Sequence, residues 1–285
     1  MPHIVAATDF SSRSQRAFRR AGVLARQTGA ELTLVHVVDD DQPDAMMAFE
    51  KQEAGKFLDE QTQSLDELRG LPCRTVVTTG EAFDGILRVA ESARADLIVM
   101  GSHRKQILRD IFIGTTIERV IRAGPYPVLM VNADSGQPYG SVTAGIDMSD
   151  PSAHALNTAM GLGLVNDANL TIVHAFAAVA AGKLYIANAR RDQIDDYVAS
   201  ERMQASEALF AFLKEQGLSK PQWSYRVEEG DAVAAISRAV KETGSDLVVI
   251  GTHGRSGIVK LLIGSVAEEV LRNLDVDILA VPPPR

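Results

Sequence analysis

The chain has 285 residues, 46% of them apolar and 23% charged, with 29 basic against 37 acidic residues, a net charge of −8 and a pI near 5.3. That length suits two domains of ~100–200 residues each, and the acidic balance argues against a general nucleic-acid binder, which would carry a basic face. Cys73 is the sole cysteine, so an internal disulfide and a thiolate metal cluster are both excluded, and no apolar stretch approaches the ~18–20 residues that cross a bilayer.

The opening MPHIVAATDF enters an apolar run at once, without a basic region ahead of a signal-peptide core, and reads as the start of a cytoplasmic protein with no membrane partner. Its run HIVAATDFS predicts a strand over 3–8 that ends in Asp-x-Ser. A helical stretch follows, then strands over 32–38 (LTLVHVV), 73–78, 96–100 and 127–131 (PVLMV). NADSGQPYG, residues 132–140, is polar and rich in turn formers, and reads as a linker. The pattern then starts again with SVTAGIDMS, giving strands over 142–146, 169–175, 222–227, 246–250 and 277–281. Ser149-Asp150-Pro151 offers a helix N-cap followed by proline at the first helical position.

Asp9 and Asp147 lie 138 residues apart, whereas Gly101 and Gly251 lie 150 apart, so the second half has gained 12 residues between its second and third strands. A repeat of this length is a duplicated domain, over 1–131 and 141–285. LIVM and LVVI are apolar on both faces, as buried parallel strands are. Strands alternating with helices predict an α/β fold in which each half is a five-stranded parallel open sheet with helices on both faces.

In such sheets a ligand sits beyond the carboxyl ends of the strands, where the chain reverses direction. For Asp147, Ala175 and Gly251 to meet there, the first and fourth strands must be neighbours. GTHGRSGIVKLLIGS, residues 251–265, has the chemistry of a phosphate cradle: glycines admit close approach, and Gly264-Ser265 leads into a helical stretch whose free N–H groups favour an anion. Ser265 adds a hydroxyl donor, and Asp147 suits a ribose hydroxyl. No GxxxxGK[ST] loop occurs. Met160-Gly161-Leu162-Gly163 falls late in a helix and is packing rather than a dinucleotide fingerprint.

Gly251-x2-Gly254-x9-Gly264-Ser265, with Asp147-Met148-Ser149, the Val-His ending of the second strands and the closing DILAVP, resembles the universal stress protein family over nearly the full length, once per half. The resemblance implies a Rossmann-like, adenine nucleotide α-hydrolase-like fold and a tandem ATP-binding protein with a regulatory stress role. It implies adenine near Ala175, ribose near Asp147 and Gly251, and phosphates on Gly254, Gly264, Ser265 and the Val266 amide, with Ser149 and His253 beside them. A magnesium ion could accompany the triphosphate, but no protein metal site is visible. PVLMV and DILAV resemble the family's dimerising strands, which predicts an internal pseudo-dimer of the two halves and leaves a homodimer open.

The first copy, GSHRKQILRDIFIGT, retains Asp9, Ser11, Val37, Gly101, Gly114 and Thr115, but carries Arg104 where the second has Gly254. Arginine disfavours left-handed backbone and stands where phosphate should approach, which predicts a weakened ATP site, or an altered choice of ligand, in the first half. His103 and His253 read as positioning groups, and His36 and His174 as structural, since no paired nucleophile or general base is evident. No catalytic residue is assigned. Slow ATP hydrolysis and a nucleotide-independent adaptor remain the alternative functions, and residues 177–189, apolar and rich in small residues, read as a lid or a partner surface.

Overall fold

The computed structural model describes residues 1–102, 114–134, 136–165, 169–180, 185–187, 189–254 and 263–284. The first half runs β1 (His3–Thr8), α1 (Ser12–Thr28), β2 (Glu31–Val38), α2 (Asp44–Ser64), β3 (Cys73–Thr79), α3 (Ala82–Ala93), β4 (Leu97–Gly101), α4 (Thr116–Ala123) and β5 (Val128–Val131). The second runs β6 (Ser141–Gly145), α5 (Asp150–Gly161), β7 (Asn169–Phe176), α6 (Arg191–Glu215), β8 (Ser224–Glu229), α7 (Ala232–Thr243), β9 (Leu247–Gly251), α8 (Ser265–Asn273) and β10 (Asp277–Val281). Part of the second half's extra length is spent in α6, which has 25 residues against 21 in α2. Of the expected lid or partner surface, residues 181–184 and 188 lie outside the described residues, and Val179, Tyr185 and Ile186 are exposed.

Within each half all strand pairings are parallel, and β1 pairs with β4 as β6 pairs with β9. The two halves do not form separate sheets. One ten-stranded sheet runs β3-β2-β1-β4-β5-β10-β9-β6-β7-β8, joined by the antiparallel pair β5–β10. In that pair Leu129 faces Leu279, its own repeat equivalent 150 residues on, so the seam has the self-complementary pattern of a twofold interface.

Successive strand residues point to opposite faces, and the core divides accordingly. Ile4 and Ala6 join Phe18 and Leu24 of α1, Leu58 of α2, Leu156 of α5 and Leu209 of α6 on one face. Val5 and Ala7 join Ile86 of α3, Val120 of α4, Ile236 of α7 and Val270 of α8 on the other. Both cores continue across the seam.

A polar latch also crosses it. Arg16 donates to the Asn132 carbonyl at 3.0 Å, Arg19 faces Asp134 at 3.7 Å, and Arg20 donates to the Gln137 carbonyl at 2.6 Å, so one helix grips the segment between the halves. Arg20 also meets the fully buried Asp277 of β10 at 3.1 Å. Asp277 accepts from the amides of Asn132 and Ala133, each at 2.9 Å, and from the Tyr139 hydroxyl at 2.7 Å. A buried carboxylate with this many donors is fully compensated. Burial, and then the Asp277 charge, push the Tyr139 phenol well above its ordinary pKa. Among the described residues the latch has no repeat counterpart: α5 contains no lysine or arginine, and Pro127 stands at the repeat position of Asp277.

Candidate functional site

Because β1 lies beside β4 and β6 beside β9, each half opens a crevice at the carboxyl ends of its central strands. The cavities measure about 320 Å³ in the first half and about 350 Å³ in the second, within the ~300–1,000 Å³ of small-molecule sites. Asp147, Ala175, Gly251, His253, Gly254, Gly264, Ser265 and Val266 all line the second. Ser149 stands behind it. Asp9, Ser11, Val37, Gly101 and Thr115 line the first, whereas Gly114 does not. His103 and Arg104 lie outside the described residues, and with them the expected obstruction by Arg104.

The Asp-x-Ser turns are built alike. Phe10 and Met148 take left-handed angles, φ 59° and 60°, which cost a residue with a Cβ ~1–3 kcal/mol and cluster at functional sites. Each turn folds the aspartate back over the start of the following helix. The Ser149 amide and hydroxyl donate to Asp147 Oδ1 at 3.1 and 2.5 Å, while the same hydroxyl oxygen accepts from the Ser152 amide and caps α5. Ser149 thus orients Asp147 rather than facing the cavity. The Ser11 amide donates to Asp9 in the same way, at 3.0 Å. Burial opposes the charge of Asp9, but hydrogen bonds from Ser11 and Ser14 and the Arg13 guanidinium outweigh it and hold the carboxyl below its ordinary value.

His36 and His174 tie the strand ends together. Their Nδ1 atoms bond the carbonyls of Thr8 and Ile146 at 2.8 and 2.7 Å. A carbonyl only accepts, so Nδ1 carries a hydrogen in both. The structural reading of both histidines fits this geometry. His253 Nδ1 lies 2.9 Å from Thr252 Oγ1.

Gly254 lies at a close approach, because a Cβ there would stand 2.6 Å from Asp147 Oδ2. Its backbone is not left-handed, so the expected conformational reason for a glycine at this place is replaced by a steric one. A side chain at 254 would require the Asp147 carboxylate or the backbone at 254 to shift.

The helix starts separate the two cavities. Gly264, with φ −62°, caps α8 without a side-chain bond, and the first turn of the helix meets the cavity at Ser265, Val266 and Ala267. The N–H groups of that turn lack partners within the helix and favour an anion. In the first half Gly114 is left-handed, φ +85°, and Thr115 becomes the cap, its hydroxyl accepting from the Glu118 amide at 3.2 Å. The Glu118 carboxylate turns back to accept from the Gly114 amide at 2.9 Å and from Arg122 at 2.7 Å. Glu118 is buried, 4% exposed. Thr115-x-x-Glu118 has the spacing of a capping box, but the carboxylate bonds the Gly114 amide rather than that of the Thr115 cap. Ser265-x-x-Glu268 has the same pattern without the same structure.

Among the described residues no cluster of three or more His, Cys, Asp or Glu side chains is placed to hold a metal, and no helix is long and apolar enough to cross a membrane. The model of the universal stress protein family matches residues 1–132 and again 138–282. Universal stress protein E of Escherichia coli K12 is 26% identical over 214 residues, 73% of this chain and 67% of that one. A universal stress protein of Methanocaldococcus jannaschii is 25% identical over 146 residues, 44% of this chain and 90% of that one. The crystal structure of a universal stress protein from Archaeoglobus fulgidus superposes with a TM-score of 0.72 at 16% identity, covering 99% of this chain and 98% of that one, a likeness of fold. With two matches to one family model and the same fold built twice into one sheet, the chain belongs to the universal stress protein family as a tandem member.

Proposed function

We propose that this protein binds ATP in its second-half cavity and that occupancy of that site serves as a regulatory signal in a stress response. The observation that carries the reading is the convergence of Asp147, Gly254 and the start of α8 on one cavity, with Gly254 so near the Asp147 carboxylate that a Cβ there would stand 2.6 Å from Oδ2. An apolar wall of Val173, Ala175, Ile236 and Ile250 suits a base. Asp147, fixed by Ser149, is an acceptor for sugar hydroxyls. The first turn of α8, capped by no side chain, supplies N–H donors and the Ser265 hydroxyl for phosphate. These residues fit the nucleotide, and any magnesium ion would arrive with the triphosphate.

Calorimetry on the full chain tests the reading. ATP is expected to bind, and Gly254→Arg is expected to abolish binding at the second cavity while the circular dichroism spectrum stays unchanged. Undiminished ATP binding by that variant overturns the assignment.

A further inference from the structure

The polar latch lies on one side of the β5–β10 seam, and the twofold pattern of that seam gives it a matching place on the other side. Met1 and Pro2 lead into β1 as Tyr139 and Gly140 lead into β6. The Pro2 carbonyl accepts from the Glu31 amide at 2.9 Å, and the Gly140 carbonyl from the Asn169 amide at 3.1 Å. Asp96 accepts from the His3 amide at 2.8 Å, as Asp246 accepts from the Ser141 amide at 3.2 Å. His154 and Thr158 of α5 stand at the repeat positions of Arg16 and Arg20, and Pro127 at that of Asp277. The frames match, but their contents do not. In the latch, Arg16 and Arg20 hold backbone carbonyls of the segment between the halves. Tyr139 is 7% exposed there, with the Arg20 guanidinium 4.2 Å from its ring centre. Met1, its repeat equivalent, is 94% exposed. Beside it a groove of about 870 Å³ runs along Pro127 and the α5 face of His154, Thr158, Gly161 and the following Leu162. A Cβ at Gly161 would meet nothing within 4 Å.

We propose that this groove docks an extended peptide of a partner protein, laid across α5 as the residues around Gln137 and Tyr139 are laid across α1, with one bulky apolar side chain in the place of Tyr139. The chain itself supplies the template, because the repeat-related place is filled by extended polypeptide anchored on one aromatic ring. The chemistry of the anchor follows from two replacements. Pro127 offers no carboxylate to a phenol, and Thr158 offers no guanidinium to a ring face. A phenylalanine therefore suits the groove better than a tyrosine, whose hydroxyl would lose its water without gaining the partner that Tyr139 has in Asp277. His154 stands where Arg16 grips a carbonyl, and burial pushes its pKa down. The neutral ring still carries one N–H, enough for one peptide carbonyl. Single aromatic anchors in such recesses carry most of the energy of peptide recognition.

Fluorescence anisotropy with the full chain and labelled nine-residue peptides tests this. The probes are NADSGQPYG, the sequence of residues 132–140, and the same peptide carrying Tyr139→Phe or Tyr139→Ala. The phenylalanine peptide is expected to bind more tightly than the tyrosine peptide, and at least tenfold more tightly than the alanine peptide. In the protein, Gly161→Trp fills the groove from a position with open space above it. It is expected to weaken the phenylalanine peptide at least tenfold while the circular dichroism spectrum stays unchanged. Thr158→Arg combined with Pro127→Asp rebuilds the pair that Arg20 and Asp277 form, and is expected to reverse the preference in favour of tyrosine. The comparison of the three peptides needs no substitution in the protein, so it decides even where a variant fails to fold. Absence of binding by all three peptides, equal binding of the phenylalanine and alanine peptides, or binding unmoved in folded Gly161→Trp overturns the proposal. An unchanged preference in the folded double variant overturns it as well. Dimerisation of the full chain in sedimentation, abolished by Gly161→Trp, would give the groove to a second copy and likewise overturn it.

Discussion

The two cavities sit at the same strand ends of two copies of one fold, and the residues nearest the sheet differ little between them. Asp9 and Asp147 occupy matching turns with the same left-handed residue between aspartate and serine. His36 and His174 make the same bond to the end of the neighbouring strand. The divergence lies at the helix that follows the fourth strand, where Gly114 and Gly264 have opposite signs of φ and the Glu118 carboxylate bonds the Gly114 amide at the start of the first. A duplicated site thus keeps the machinery that the sheet imposes and changes where the chain leaves it, because strand-end geometry is shared with the core and a helix cap is not.

The largest expected break in the symmetry between halves is at the latch. Asp277→Ala leaves Arg20 buried without its counter-charge and is expected to cost about 3–5 kcal/mol in urea unfolding. The matching substitution Pro127→Ala, at the repeat position, removes no polar partner and is expected to cost far less. At the second cavity, Gly254→Arg is expected to weaken ATP binding at least 100-fold, about 2.7 kcal/mol, read by calorimetry.

Tyr139→Phe deletes one donor to Asp277 and should cost about 1.5–3 kcal/mol at neutral pH, as hydrogen bonds to charged groups do. The sign of its pH dependence follows from the raised phenol pKa. The wild-type advantage is present below the ordinary tyrosine value near 10 and is lost as pH rises beyond it. Thr115→Ala removes the α4 cap and should cost about 1 kcal/mol in thermal unfolding. Gly264→Ala should cost less through capping, since no side-chain bond is lost there.

The smallest effect belongs to Asp9→Asn. The folded carboxyl lies below its ordinary value of 3.8, so the stability it contributes is present above that pH and fades as pH falls through the lower folded value. A stability difference between wild type and variant that persists unchanged into strong acid would contradict the hydrogen-bonded turn.

Much of this fold was legible because its signals are periodic. The ten apolar runs mark the ten strands to within two residues, and Ser149-Asp150-Pro151 caps α5 as its chemistry dictates. The neighbour relation of first and fourth strands followed from requiring one crevice per half. Less legible were features that depend on backbone angles or distant partners. Nothing in Phe10 or Met148 announces left-handed backbone, since neither residue type favours it. The close approach at Gly254 is to Asp147, more than 100 residues away in the chain. Thr115-x-x-Glu118 and Ser265-x-x-Glu268 read alike, yet Thr115 caps α4 with Glu118 on the Gly114 amide, whereas Gly264 caps α8. Nothing in the sequence of α1 marks Arg16 and Arg20 as the partners of the segment between the halves.

The pairing of Leu129 with Leu279 has a consequence for mass action. When two identical chains meet along such a seam, their association weakens on dilution and both partners must carry the same substitution. Joined in one polypeptide, the seam becomes an intramolecular contact whose occupancy does not depend on protein concentration. Each side is then free to mutate alone. Gene fusion of this kind releases the two cavities from enforced identity, so that each can change without a matching change in the other.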